Sequence, residues 1–162
     1  MKKTFILLTV ICCAFLITAC GSGSGSVKKN ATVEELLDVY LDAFMNADEE
    51  KMVSVFPSFM EEDVRKYLGK DALEQQISSM KEEYGDDYKI TYKINNTIKA
   101  NESQLESVNN SLKKHYSNAT AASECYGYEG TFTYAGSKGS EDGSLSEVIY
   151  CKFNDAWKLV IS

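Results

Sequence analysis

The chain has 162 residues, 44% hydrophobic and 25% charged, which is the balance of one soluble globular domain and not of a disordered chain or of two sizeable domains. Acids outnumber bases 24 to 17 for a formal charge of -7, and a chain of that sign repels phosphate backbones, which argues against a nucleic-acid partner. One His and one Pro leave little material for a histidine metal site or a proline-rich ligand.

Lys2 and Lys3 form a positive n-region, residues 5–17 an uncharged apolar run, and Thr18 and Ala19 the small residues of a cleavage site. That pattern predicts a signal peptide over residues 1–19. The run falls short of the about 20 residues that a bilayer-spanning helix needs. Ile17-Thr18-Ala19-Cys20 resembles the lipobox of bacterial lipoproteins, with Ile where Leu is commonest. The resemblance implies cleavage before Cys20, a diacylglyceryl group on its thiol, and an anchor on the extracytoplasmic side of the cell membrane. Two acyl chains hold stably where one is marginal. The alternative is an ordinary secretory peptide in which the cysteine is incidental. Losing Lys2 and Lys3 takes the formal charge from -7 to -9, so the domain is expected to stand off anionic headgroups. Residues 20–31 then form the lipidated Cys and a tether, whose GSGSGS at 21–26 is a flexible coil. Gly21 is not the Asp that marks inner-membrane retention in Gram-negative sorting, and the envelope type stays open.

Four helices are expected next. Thr32 with Glu35 makes a capping box before Val33, Leu36, Leu37, Tyr40, Leu41 and Phe44 at helical spacing. Asp48 caps a short helix carrying Met52, Val55 and Phe56, stopped by Pro57. Ser58 with Glu61 opens a third, and Asp71 with Glu74 a fourth that ends at Gly85.

Strand chemistry begins at Asp87, where Tyr88, Ile90, Tyr92 and Ile94 alternate with Lys89, Thr91 and Lys93. Asn95 and Asn96 break the alternation and predict a bulge or bend before Ile98. A fifth helix runs over 101–115 with Leu105, Val108 and Leu112 on one face. Strands follow over 122–134 and 145–153, separated by a turn-rich loop at 135–143, and Asn154-Asp155-Ala156 turns into a last strand at 157–161. The fold class expected is α+β, with N-terminal helices packed on a curved, mainly antiparallel, four-stranded sheet.

Cys125 and Cys151 remain in the mature chain, on strands expected to be neighbours. Opposed antiparallel residues lie within disulfide reach, and the compartment permits the bond. The alternative is a pair of buried free thiols. Their spacing is not CxxC and two thiols do not close a zinc site.

The element order, and the closing pattern Val148-Ile149-Tyr150 … Asn154-Asp155-Ala156-Trp157-Lys158-Leu159-Val160, is similar to the NTF2-like superfamily. More narrowly, the chain resembles small clostridial-type lipoproteins of unknown function that carry such a domain. The resemblance covers residues 32–162 and implies a sheet wrapped around a long helix as a cone, often with a cavity. A cystatin-like sheet on a helix is the runner-up.

No catalytic residue is expected. His115 follows Lys113 and Lys114 near a helix end, where a cation suits the dipole. Asp38 and Asp42 fall on the polar side of the first helix, and acidic runs such as Glu61-Glu62-Asp63 lack calcium-loop spacing. No cofactor or metal is implied. Tyr126, Tyr128, Phe132 and Tyr134 share a strand face by parity, and with Tyr88 and Tyr92 they would place hydroxyls among apolar walls, suited to a small amphipathic ligand. Ordinary core packing is the competing account. The function expected is that of a membrane-anchored, non-catalytic spacer or protein-interaction module at the envelope. The alternative is a small apolar or amphipathic ligand held in the cone.

Overall fold

The computed structural model describes residues 31–145 and 148–161. Residues 1–30, which hold the expected signal peptide and Cys20, lie outside the described residues, so the lipobox expectation has no structural counterpart here.

Helix α1 spans Val33–Met45 and begins as its capping box requires, with Glu35 N–H donating to Thr32 Oγ1 at 3.2 Å and Thr32 N–H to Glu35 Oε2 at 3.0 Å. Its apolar stripe buries Leu36, Leu37, Tyr40 and Phe44. Helix α2, Glu49–Ser54, starts at Asp48, whose carboxylate accepts from Lys51 N–H at 3.1 Å. Two later starts differ from the local pattern. Ser58–Met60 is a 3-10 turn after extended Pro57, and α3 begins only at Glu61, running to Leu68. Helix α4, Lys70–Tyr84, begins one residue before the expected Asp71. Its first free donor, Lys70 N–H, is met by Glu49 Oε2 of α2 at 3.0 Å, a tertiary cap that no local spacing encodes.

The strands are β1 Lys89–Lys99, β2 Glu124–Gly136, β3 Gly139–Leu145, β4 Val148–Phe153 and β5 Ala156–Ile161, with α5 Glu102–His115 between β1 and β2. They form one open antiparallel sheet in the order β1-β2-β4-β5, with β3 also on β2. The fold is α+β, but the sheet has five strands where four were expected. The extra one, β3, lies in the segment that reads as a loop. Its sequence GSEDGSL has no apolar alternation, and it is held by backbone pairing from Gly136↔Gly139 to Gly130↔Leu145, with Leu145 its one buried side chain. Strands β3 and β4 follow one another along the same side of β2, opposite β1.

The bulge in β1 is where Asn95 was expected to put it, between the pairs Ile94↔Gly130 and Asn96↔Glu129. One extra residue reverses the faces, because side chains alternate with period two. Tyr92 therefore shares the face of Phe132, whereas Ile98 shares that of Gly127. Asn154 and Asp155 turn β4 into β5 with φ of 46° and 65°, the left-handed pair of a two-residue hairpin.

Helices α1 to α4 cover one face of the sheet. Leu36, Leu37, Met52, Val55 and Leu73 are wholly excluded from water there, each stabilising by roughly 1.5–3 kcal/mol on the transfer scale. Tyr84, Tyr88, Phe132 and Tyr134 make a smaller aromatic cluster under the end of α4. Helix α5 stands at the opposite face, where Asn109 ties it to Ala122 through Oδ1 and Nδ2 at 2.7 and 3.1 Å.

Candidate functional site

The five residues expected to line a cone divide between three places. Tyr92 is 4% exposed, and its hydroxyl proton is shared by the Glu34 carbonyl at 2.9 Å and Asp38 Oδ1 at 3.2 Å, both on α1. Tyr128 is equally buried, with its ring 6.2 Å from that of Tyr150. The Tyr150 hydroxyl donates to the carbonyl of Ala31, at the start of the helical layer. Tyr88 and Phe132 sit apart from these in the aromatic cluster, where Phe132 meets Tyr134 edge-on at 5.0 Å and Tyr134 stacks on Tyr84 at 5.6 Å. Tyr126 shares the strand face, as parity predicts, but lies at the far end of the sheet. It is half-buried beside Trp157 at 5.7 Å, with Lys99 Nζ 5.6 Å from its ring. Parity gives the face of a residue and not its position along the strand.

The packing also perturbs phenols. Burial, and then the nearby Glu34 and Glu35, raise Tyr150 well above the usual range. Burial and the Glu141 hydrogen bond do the same for Tyr84. The pKa of the Asp38 carboxyl is raised, chiefly by desolvation, with the Tyr92 hydrogen bond pulling the other way. It remains on the exposed side of α1, as its position on the helix predicts.

Cys125 and Cys151 are directly opposed on β2 and β4, with Cα atoms 4.1 Å apart, and are joined as a disulfide. Both are buried. His115 is exposed at the end of α5, with Nδ1 2.9 Å from the Ser111 carbonyl. Among the described residues no three His, Cys, Asp or Glu side chains gather as metal ligands.

Among the described residues, cavities lie at the rim of the helical layer and on the outer sheet face. One of about 710 Å³ is bounded by Phe59, Asp63, Arg65, His115 and Tyr116, and the Tyr116 hydroxyl donates to Asp63 at 2.8 Å. A second, of about 320 Å³, is a groove between α5 and the sheet whose lining includes Ile98, Val108, Ile149 and parts of Tyr126 and Tyr128. The third, of about 390 Å³, lies under the α2–α3 connection and contains Lys158.

Two groups in these regions carry no signal in the local sequence. Arg65 on α3 gathers three carboxylates, bonding Glu49 at 2.5 Å, Glu50 at 2.7 Å and Glu61 at 3.0 Å, and so answers part of the acidic run. Lys158, one residue of an ordinary strand pattern, turns inward to the Ser54 carbonyl.

No protein-family model matches the chain, and neither a curated protein nor a solved structure does.

Proposed function

We propose that this protein is a lipid-anchored, extracytoplasmic lipoprotein whose domain serves as a non-catalytic spacer or protein-interaction module at the cell envelope, with an NTF2-like arrangement. One observation supports the module reading above the others. The face of the sheet that would line a cone is occupied by α1, with Leu36, Leu37 and Tyr40 packed against it and the Tyr92 hydroxyl bound to the helix itself. A ligand there would have to displace close-packed core, at a cost of several kcal/mol for each large side chain moved. The anchor reading rests on Ile17-Thr18-Ala19-Cys20 and the Gly/Ser tether behind it. Helices first, then a strand, a helix and further antiparallel strands in one open sheet are the grounds for the NTF2-like assignment.

The ligand alternative draws on the 320 Å³ groove, which contains Tyr126 and Tyr128 and opens on the α5 side of the sheet. On that reading the ligand lies outside the helical core, against Ile98 and Ile149.

Expression of the complete chain in a host that processes lipoproteins tests the anchor. The unaltered protein is expected in the membrane fraction and labelled by palmitate, and Cys20→Ser is expected in the soluble fraction without label. Retention of Cys20→Ser in the membrane would sink the anchor reading. Native mass spectrometry of the complete chain, after exposure to an envelope extract, separates the two uses of the domain. A bare protein mass fits the module, and a discrete bound small molecule replaces it with the ligand reading.

A further inference from the structure

Lys158 lies on β5 opposite Cys151 of β4, at the edge of the sheet. The neighbouring Leu159 N–H donates to the Val55 carbonyl at 2.9 Å, which straps the end of α2 to this edge. The strap sets the Ser54 carbonyl against the lysine, and Lys158 Nζ donates to it at 2.5 Å. An ammonium has three donors, and this bond uses one. Among the described residues no carboxylate pairs with Lys158, although burial takes it partly out of water and lowers its pKa. A half-buried cation without a counter-charge is costly, and an anion supplied from outside removes that cost.

The cavity at Lys158 has the other parts of such a site. Its volume is about 390 Å³, within the range of small-ligand pockets. Phe56, Phe59 and Phe153 give it apolar walls, the last two locked edge-to-face at 5.5 Å. Thr120 and Asn154 add neutral polar groups. The one carboxylate on its boundary, Glu61, is already held by Arg65. A single uncompensated positive charge matches a single negative charge. A phosphate dianion would bring a second charge with no cation to meet it, close to Glu61.

We propose that this cavity is a binding site for a small organic carboxylate, its carboxylate on the Lys158 ammonium and its aromatic or short aliphatic body against Phe56, Phe59 and Phe153. This site is separate from the cone residues and does not depend on the spacer reading.

The test uses 3-phenylpropanoate and its neutral analogue 3-phenylpropanamide, titrated into the complete chain in detergent micelles. The reporter is the side-chain NMR signal of lysine labelled with carbon-13 at Cε. The carboxylate is expected to shift the Lys158 signal saturably and to bind roughly tenfold or more tighter than the amide, because only the carboxylate meets the ammonium as an ion. K158M is expected to abolish that preference while leaving the thermal midpoint near that of the parent. Equal affinity for the two probes overturns the proposal. So does a preference that survives in K158M, or the absence of a saturable shift up to about 20 mM carboxylate. The comparison of the two probes on the unaltered protein decides the matter even where K158M fails to fold.

Discussion

Reduction of the Cys125–Cys151 bond frees the unfolded chain far more than the folded one. The two residues are 26 apart in sequence, and closing a loop of that size removes conformational entropy worth about 3.5 kcal/mol in the chain-entropy treatment. In the folded state the pairs from Glu124↔Lys152 to Gly127↔Ile149 hold both strands in place without the bond. Both sulfurs lie in the core, where free thiols behave as small apolar groups, so reduction leaves no cavity. Replacement by alanine would add a packing loss, which makes reduction the cleaner perturbation. For a domain of roughly 130 residues the entropy of unfolding is about 0.27 kcal/mol/K, so the expected fall in Tm is about 13 °C. Thermal unfolding followed by circular dichroism, with and without a phosphine reductant, reads the shift, and a thiol count under denaturing conditions verifies complete reduction. A fall of less than about 3 °C with both thiols counted would refute the reasoning, since it would mean that the bond constrains nothing the unfolded chain otherwise explores.

Two glycines of β3 should respond in opposite ways to the same change. A Cβ at Gly143 would strike the ring of Phe132, which is packed within the aromatic cluster, so Gly143→Ala is expected to cost about 1–3 kcal/mol in urea unfolding. A Cβ at Gly139 meets nothing, and Gly139→Ala should stay within about 0.5 kcal/mol of the parent. Equal effects at the two sites would contradict the ring contact. Alkali supplies a further check. Burial, followed by the hydrogen bond to Asp63, pushes the Tyr116 phenol up to about 12, above its value of about 10 in the unfolded chain. Its contribution is therefore complete below about pH 10 and lost as pH rises towards 12. The urea midpoint should decline over that interval, and more shallowly in Tyr116→Phe; parallel declines would refute the assignment.

The sequence makes the elements with strong local chemistry legible. The Thr32–Glu35 box, the alternation from Tyr88 to Ile94 with its break at Asn95, and the Asn154-Asp155 turn each correspond to an observed feature. The sequence favours the cysteine pairing because both residues fall on strands expected to be neighbours, and they are directly opposed. What escaped notice depends on partners distant in sequence. Strand β3 has almost no apolar pattern and exists because β2 offers it a backbone edge. Helix α4 starts at Lys70 because Glu49 reaches across from α2. The tyrosines separate because Tyr126 and Phe132, though on one face, are about 20 Å apart along the strand. Lys158 looks like one more polar residue until the strap from Val55 covers it.

The single residue Asn95 lets one strand present side chains of the same sequence parity to both faces of the sheet. Residues 89–94 answer to the helices, and residues 96–99 carry Ile98 to the α5 side while keeping Lys99 beside Glu124 at 2.7 Å. Closing the ladder with Asn95 retained and paired would slip residues 96–99 by one, setting Ile98 opposite Tyr126 and carrying Lys99 away from Glu124, whereas deleting Asn95 would keep Ile98 opposite Gly127 and Lys99 opposite Tyr126. The strand thus accommodates the loss of that residue, while its absorption into the ladder would misdirect four side chains.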